Sequence, residues 1–474
     1  MSVTCSKAHV VLLSSPGIGH LSPIVELAKR LALDHNLTAT IITFFDRSSD
    51  IQQSMFSSLP IGVSTVCLPP ISLDDLPTNT HIISRLSIMI SRSIPFLRQI
   101  LLDLQIKNKR IAAYIIDLFG GDTICLAREL GAPSYIFFTT NFFYLSFLLN
   151  LPTLCHEQHD NNPDSLLALP GCTPLYHNDF PQSAIDKKSD VFAWMIHHSK
   201  HHDKVDGIMV NSFEAMEGGA VIFLKERRNG KSPVLPIGPL TCVGGTEKGL
   251  AELNSCLQWL DQQPVQSVLF IAFGSGGTLS FEQTKEMALG LEMSGQRFLW
   301  VVRMPVDADR SAAYFSDHQG RNNLLGFLPQ GFLEKTKEKG KVVASWGPQP
   351  KILSHHATGG FLSHCGWNST LESIVNGVPM IAWPLYAEQA MNAVMLVEGA
   401  KVALRPARMK NDDVVRKDDI ADVVKDLMEG ERGKDVRRRM HDLKVAAQNA
   451  VKKEGSSTKT LAQMVNNWKT LAHN

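Results

Sequence analysis

The chain has 474 residues, 44% of them hydrophobic, and its 47 basic side chains nearly balance 46 acidic ones for a formal charge of +1. That length exceeds what one hydrophobic core sustains and predicts two domains of similar size, while the charge balance excludes a nucleic-acid or acidic-membrane surface and points to a small partner. Eight cysteines (Cys5, Cys67, Cys125, Cys155, Cys172, Cys242, Cys256 and Cys365) without a C-x-x-C pair predict reduced thiols in a cytoplasmic, monomeric chain.

The first half alternates strand-like and helix-like runs. His9–Leu13 reads as a first strand rather than part of a signal peptide. It is followed by a helix from about Leu21 to Leu33, strands at Thr38–Thr43 and Val63–Leu68, a helix through Ile82–Leu104, and a strand at Ile111–Ile116. This rhythm predicts a parallel sheet covered by helices on both faces, extended by Ser134–Phe138 and Gly207–Val210. Leu130 to Cys155 carries no formal charge, but Pro133, Thr139, Thr140, Asn141, Asn150 and Pro152 interrupt it. A buried strand, a polar turn and an apolar helix suit it better than a membrane span.

Ser14-Ser15-Pro16-Gly17-Ile18-Gly19-His20 forms a Gly-rich turn between the first strand and first helix. Ser22 stands where a dinucleotide fingerprint needs its third Gly, so an NAD-dependent oxidoreductase is disfavoured. A His at such a junction points into the cleft of an open α/β sheet, and with an unperturbed pKa of about 6.5 it can take a proton from a hydroxyl. Asp117, at the end of the strand Ile111–Ile116, stands where an orienting acid is wanted. Read alone, His20 more readily caps the helix or lines a polar wall.

Pro236 to Cys256 is dense in Gly and Pro and reads as a linker. A second alternation follows: Ser267–Phe273, a helix from about Phe281 to Met293, Phe298–Val302, Val342–Ala344, Gly360–Ser363, a helix after Asn368, and Met380–Ala382. The expected organisation is a first domain over 1–240, a linker over 241–256, a second domain over 257–455 and a terminal helix over 456–474. Pro305–Gly326 reads as an exposed insertion, and Lys410–Lys453 as charged helix. Two doubly wound halves of this kind make a cleft between them.

The most informative stretch runs from Trp346 to Gln389. Its apolar run Gly359–Leu362 feeds a tight turn, Ser363 to Trp367, and then a helix capped at Asn368 or Ser369, with Ser369-x-x-Glu372 as a capping box and Gly377 followed by Pro379 as its end. Unpaired N–H groups at such a helix start face an anion, which makes this a phosphate site. Trp346 is flat enough to stack on a base, Glu372 can take ribose hydroxyls, and Glu388-Gln389 can bond sugar hydroxyls. For Glu372 the capping box is a competing explanation.

This stretch resembles, nearly position for position, the signature box of plant secondary-product UDP-glycosyltransferases: Trp-x-Pro-Gln at its start, His-Cys-Gly-Trp-Asn-Ser at its centre and Glu-Gln at its end. The resemblance extends along the chain and implies two Rossmann-like doubly wound domains facing a cleft, the GT-B arrangement, with the last helix packing back on the first domain. It implies that Trp346 stacks on uracil with Ser345 and Gln349 at its edge, that Glu372 holds the ribose, and that His364, Asn368, Ser369 and Ser275 hold the pyrophosphate. Glu388 and Gln389 would hold the sugar, and Trp367 together with Gln389 goes with UDP-glucose as co-substrate. The matching enzymes pair a His and an Asp at the positions of His20 and Asp117, which implies inverting transfer to a β-glycoside without a metal.

Phrases such as Ile115–Gly120 and Phe327-Leu328-Pro329 are similar to the branch containing hydroquinone (arbutin-forming), chlorophenol and monolignol glucosyltransferases. Small planar hydroxylated aromatics, indoxyl included, are therefore the expected acceptors, against Leu118, Phe119, Phe142, Phe143, Leu148 and Trp194 as apolar walls; each of these could also be ordinary core. Another UDP-sugar, a flavonoid, or an N- or S-acceptor is the alternative, and a non-catalytic nucleotide-sugar binder a remoter one. Ser275 as a hydrolase nucleophile fails because Phe273 replaces the first Gly of G-x-S-x-G. His197, His198, His201 and His202 form i,i+4 pairs, but with no carboxylate or Cys patterned nearby no metal is expected.

Overall fold

The computed structural model describes residues 7–44, 50–77, 79–107, 110–154, 166–226, 231–241, 250–307, 325–407 and 414–473. They form two compact units, Met1–Pro174 with Gln182–Thr241 and Asn449–Asn474, and Leu175–Pro181 with Cys242–Gln448. Each is a parallel sheet with its own core, as the alternation of runs predicts.

In the first unit the strands are β1 (His9–Leu13), β2 (Thr38–Phe44), β3 (Val63–Leu68), β4 (Ile111–Asp117), β5 (Ser134–Phe138), β6 (Gly207–Val210) and β7 (Val234–Pro236), in the order β3-β2-β1-β4-β5-β6-β7. β1, β4 and β5 are buried along their whole lengths, as central parallel strands covered on both faces must be. Helix α1 (Ile18–Leu33) turns Leu21, Ile24, Leu27, Ala28 and Leu31 inward at helical spacing. Helix α2 covers Ile82–Ile106, and α3, the apolar stretch after β5, covers Phe142–Leu154. No described helix is long and apolar enough to cross a membrane. Helix α4 (Asp190–His202) starts at Ser189, whose side chain accepts from the Val191 N–H at 3.1 Å.

The second unit carries β8 (Val268–Ala272), β9 (Arg297–Val302), β10 (Gly340–Ala344), β11 (Thr358–Ser363), β12 (Met380–Ala382) and β13 (Ala403–Leu404), ordered β10-β9-β8-β11-β12-β13. One expectation needs correction here: residues 250–256, read as linker, open helix α5 (Leu250–Asp261), and the rest of that linker from 242 to 249 lies outside the described residues. Helix α6 covers Phe281–Ser294 and α7 covers Trp367–Asn376. Most of the insertion expected at Pro305–Gly326 lies outside the described residues. Residues 175–181, which sequence assigns to the first half, group with the second unit, where Asp179 lies 4.0 Å from Arg405.

The terminal helix α8 (Ser456–His473) belongs to the first unit. Its Leu461, Met464, Val465 and Trp468 join the core of β1, β2 and α1, Trp468 lies edge-on to Tyr135 at 5.3 Å, and Ser457 donates to the Gly238 carbonyl at 2.5 Å.

Candidate active site

In both units the sheet order reverses at one point: between β1 and β4 in the first, between β8 and β11 in the second. Open α/β sheets bind ligands at such switch points, beyond the carboxyl ends of the strands. The conspicuous polar residues of each unit gather there.

In the first unit the parallel register pairs Leu13 with Ile116, which brings the turn after β1 beside the end of β4. Gly17 takes φ 103°, a conformation that disfavours other residues, and α1 begins at once, placing His20 in its first turn. His20 makes no cap; its Nδ1 lies 3.0 Å from Asp117 Oδ2. Asp117 is fully buried, and its other oxygen accepts from Ser15 Oγ at 2.6 Å and from the Phe119 N–H at 3.4 Å. A carboxylate held on both oxygens fixes the His20 ring with the proton on Nδ1, so Nε2 is the basic nitrogen. Thr139 Oγ1 lies 3.4 Å from the same Nδ1. Sequence reading found the pair but not Ser15 or Thr139, which become partners only through the strand register.

In the second unit β11 ends in the turn His364-Cys365-Gly366, with Cys365 at φ 63°, and α7 follows. The helix starts at Trp367 with Gly366 as its cap residue. The expected capping box is therefore absent: Ser369 and Glu372 stand inside the helix, because the chain turns helical three residues earlier than a Ser369 cap requires. Gly377 closes it in the left-handed conformation, as expected. The His364 ring is gripped by two glycines: a Cβ on Gly274 would come within 2.4 Å of His364 Nε2, and one on Gly366 within 2.3 Å. His364 Nδ1 has no hydrogen-bond partner among the described residues.

Burial, with Arg303 nearby, pushes the His364 pKa down to about 3, so the ring is neutral and acts on an anion as an N–H donor rather than a cation. The positive charge comes from Arg303, just past β9, whose guanidinium donates to the carbonyls of Gly274 and Gly277. Burial lowers its pKa only to about 10, leaving it protonated. An isolated Arg after an apolar strand gives no signal in sequence, and this residue went unread. Ser275 is exposed in the same Gly274–Gly277 loop.

Freed from any capping role, Glu372 accepts from Gln349 Nε2 at 2.7 Å, and the same amide donates to Ser369 Oγ at 2.9 Å. Burial pushes the Glu372 carboxyl up to about 7. Ser345, at φ 67°, and Trp346 are partly exposed at the end of β10. Gln389 is buried, and its side-chain oxygen accepts from the Leu385 and Tyr386 N–H groups at 2.9 and 3.0 Å. Glu388 precedes it and is partly exposed, whereas Trp367 is buried. Asn368 lies in the first turn of α7.

Of the residues expected to face an acceptor, Phe119 lies 5.6 Å from the His20 ring, His198 lies 5.3 Å beyond Phe119, and Trp194 stacks on His198 at 5.8 Å. Leu118 is buried beside them in sequence. Phe142, Phe143 and Leu148 are buried in α3, where the first two give their N–H groups to the Glu217 carboxylate at 3.3 and 2.8 Å.

Residues 198–441 match the family described as UDP-glucoronosyl and UDP-glucosyl transferase. A hydroquinone glucosyltransferase from Rauvolfia serpentina is 49% identical over 97% of both chains. The chain belongs to this family. UDP-glycosyltransferase 72B1 of Arabidopsis thaliana is 47% identical, covering 97% of this chain and 96% of its own. Among solved structures, a UDP-glucosyltransferase from Polygonum tinctorium capable of glucosylating indoxyl, in complex with 3,4-dichloroaniline, superposes with a TM-score of 0.89 at 44% identity over 98% of this chain and 100% of that one. Phytolacca americana UGT2, complexed with UDP-2-fluoro-glucose and pterostilbene, gives 0.87 at 41% over the same shares. As a UDP-glycosyltransferase of GT-B fold, the chain has its two switch-point sites in the two α/β units that this fold requires.

Proposed function

We propose that the protein transfers glucose from UDP-glucose, with inversion, to the hydroxyl of a small planar aromatic acceptor of the phenol, hydroquinone, monolignol or indoxyl type. The observation that carries this reading is the His20–Asp117 pair, since a nucleotide-sugar binder without catalysis has no use for an oriented base. Hydroquinone and indoxyl chemistry in the relatives supports the acceptor class.

In this mechanism Asp117 and Ser15 hold the His20 tautomer, and Nε2 takes the acceptor proton as the oxygen attacks the anomeric carbon. The C–O bond to the diphosphate breaks on the opposite face, giving a β-D-glucoside, UDP and a protonated His20. Negative charge gathering on the departing UDP is met by the Arg303 cation, the His364 N–H, the start of α7 and the Ser275 hydroxyl. Those groups supply the stabilisation a metal otherwise would. Trp346 carries the uracil, with Ser345 and Gln349 at its edge; Glu372 takes the ribose, Asn368 and Ser369 the phosphates, and Glu388 and Gln389 the sugar. Phe119 and Trp194 line the acceptor, while Phe142, Phe143 and Leu148 support that wall from the core.

The test is His20→Ala. Transfer to an ordinary phenol should fall by roughly a hundredfold or more, with UDP-glucose binding by calorimetry unchanged, and a strongly acidic phenol should be spared. Full activity on the ordinary phenol would overturn the reading.

A further inference from the structure

Four histidines near the end of α4, His197, His198, His201 and His202, sort onto two faces. His198 and His202 turn into the core, His198 Nε2 meeting Ser87 Oγ at 2.8 Å and His202 Nδ1 donating to the His198 carbonyl at 2.6 Å. His197 and His201 turn the other way and meet Asp122, in the short turn Gly121–Thr123 after β4. No carboxylate is patterned near these histidines in sequence. Asp122 reaches them from 75 positions earlier, which removes the ground for expecting no metal there.

We propose that Asp122, His197 and His201 form a binding site for a zinc-class divalent cation, whose His197 lies edge-on to Trp194 at 5.4 Å. One ligand atom from each residue lies within 4.8 Å of the others. Zinc holds N and O ligands at roughly 2.1 Å, which sets tetrahedral neighbours roughly 3.4 Å apart, so small side-chain rotations close the set. Two imidazoles and a carboxylate are a borderline N/O donor set that favours Zn²⁺ over Mg²⁺, which prefers oxygen and water.

The surroundings are built as an outer shell. His201 Nδ1 lies 2.9 Å from the His197 carbonyl; a carbonyl only accepts, so the proton is on Nδ1 and Nε2 carries the lone pair a metal needs. Burial lowers the His201 pKa, keeping the ring neutral. Burial would raise Asp122, but hydrogen bonds from Ser91 and His197 more than offset it and hold the carboxyl ionised. Gly121 permits the approach, since a Cβ there would lie 2.7 Å from His201 Cβ. His197 Nε2 now donates to Asp122, and on metal binding the metal takes the place of that hydrogen bond. Three protein ligands leave a position for water.

Chelator-stripped wild-type protein titrated with Zn²⁺ by calorimetry should show one site that is lost in a His197→Gln, His201→Gln double variant and weakened roughly tenfold in Ser91→Ala, which removes only an outer-shell donor. Mg²⁺ should give no matching isotherm. No Zn²⁺ binding by the wild type, an unchanged isotherm in the double variant, or equal Mg²⁺ binding would overturn the proposal. Anomalous difference density at the zinc edge, from wild-type crystals soaked in Zn²⁺, decides the matter independently of how the variants fold: a peak among the three ligand atoms supports the site and none refutes it.

Discussion

A carboxyl group that burial lifts to about 7, and to which Gln349 donates, makes ligand binding depend on pH. On the proposed reading Glu372 accepts ribose hydroxyls as a carboxylate, so below pH 7 it must first release a proton. The affinity for UDP-glucose should therefore rise with pH up to about 7 and level off above it, falling by up to about tenfold per unit on the acid side. UDP-glucose suits the measurement because its diphosphate is esterified at both ends and stays in one charge state. Glu372→Gln should bind more weakly at pH 8 and lose the pH dependence; an unchanged slope in the variant would remove Glu372 from the ribose. The grip on His364 gives a second residue-scale test. Gly366 sits at φ −61°, open to any residue, so Gly366→Ala carries no backbone strain, only the 2.3 Å encounter with His364. Turnover should fall by roughly tenfold or more, as for a displaced oxyanion donor, while the urea midpoint stays near wild type. Residue types were legible here because phosphate, ribose and base each call for a recognisable side chain. Partnerships were not: whether Glu372 caps a helix or meets Gln349 depends on where α7 starts, and Arg303 acquires meaning only beside Gly274.

At the scale of elements, alternating apolar runs with Gly- and Pro-marked breaks were enough to place nearly every strand of both sheets, because a parallel strand buried on both faces is almost all Val, Ile, Leu and Phe. The boundary at 250–256 failed for a related reason: glycines and charges upstream read as linker, while α5 takes its helical form beside the second sheet. The terminal helix shows how far tertiary packing exceeds local signal. Trp468 is fully buried, and its neighbour Lys469 donates to the His35 carbonyl 434 positions earlier in the chain. Replacing so large a buried side chain by Ala leaves a cavity the core cannot refill, so Trp468→Ala should cost about 3–5 kcal/mol in urea unfolding. Because the residue touches neither switch point, kcat on the remaining folded enzyme should stay near wild type at low temperature. A cost under about 1 kcal/mol would mean that the helix is not part of the first unit's cooperative core.

Across the described residues, five His and Glu side chains with large burial shifts make stability depend on pH, and they pull in opposite directions. His198, His202 and His364 have folded pKa values of about 3, about 4 and about 3, well below an unfolded value of 6.5, because burial disfavours the imidazolium. Below pH 6.5 the unfolded chain takes up protons that the folded one refuses, so the stability these residues permit is full above 6.5 and is lost as pH falls towards 3 to 4. Glu217 and Glu372 do the reverse: burial lifts both to about 7 from 4.5, so their stability is full below 4.5 and is lost as pH rises through 7. Each group contributes a slope of about 1.4 kcal/mol per pH unit within its window. Between 4.5 and 6.5 three histidines oppose two glutamates, and stability should rise with pH by the equivalent of one group. From 6.5 to 7 only the glutamates act and it should fall slightly, while below 4.5 only the histidines act and the loss should steepen. Urea unfolding from pH 4 to 8.5 should therefore peak near 6.5. Glu217→Gln should flatten the decline towards 7, because the amide still accepts one N–H from α3 but no longer titrates; a wild-type profile that climbs without a maximum to pH 8.5 would mean that neither glutamate is held protonated by its burial.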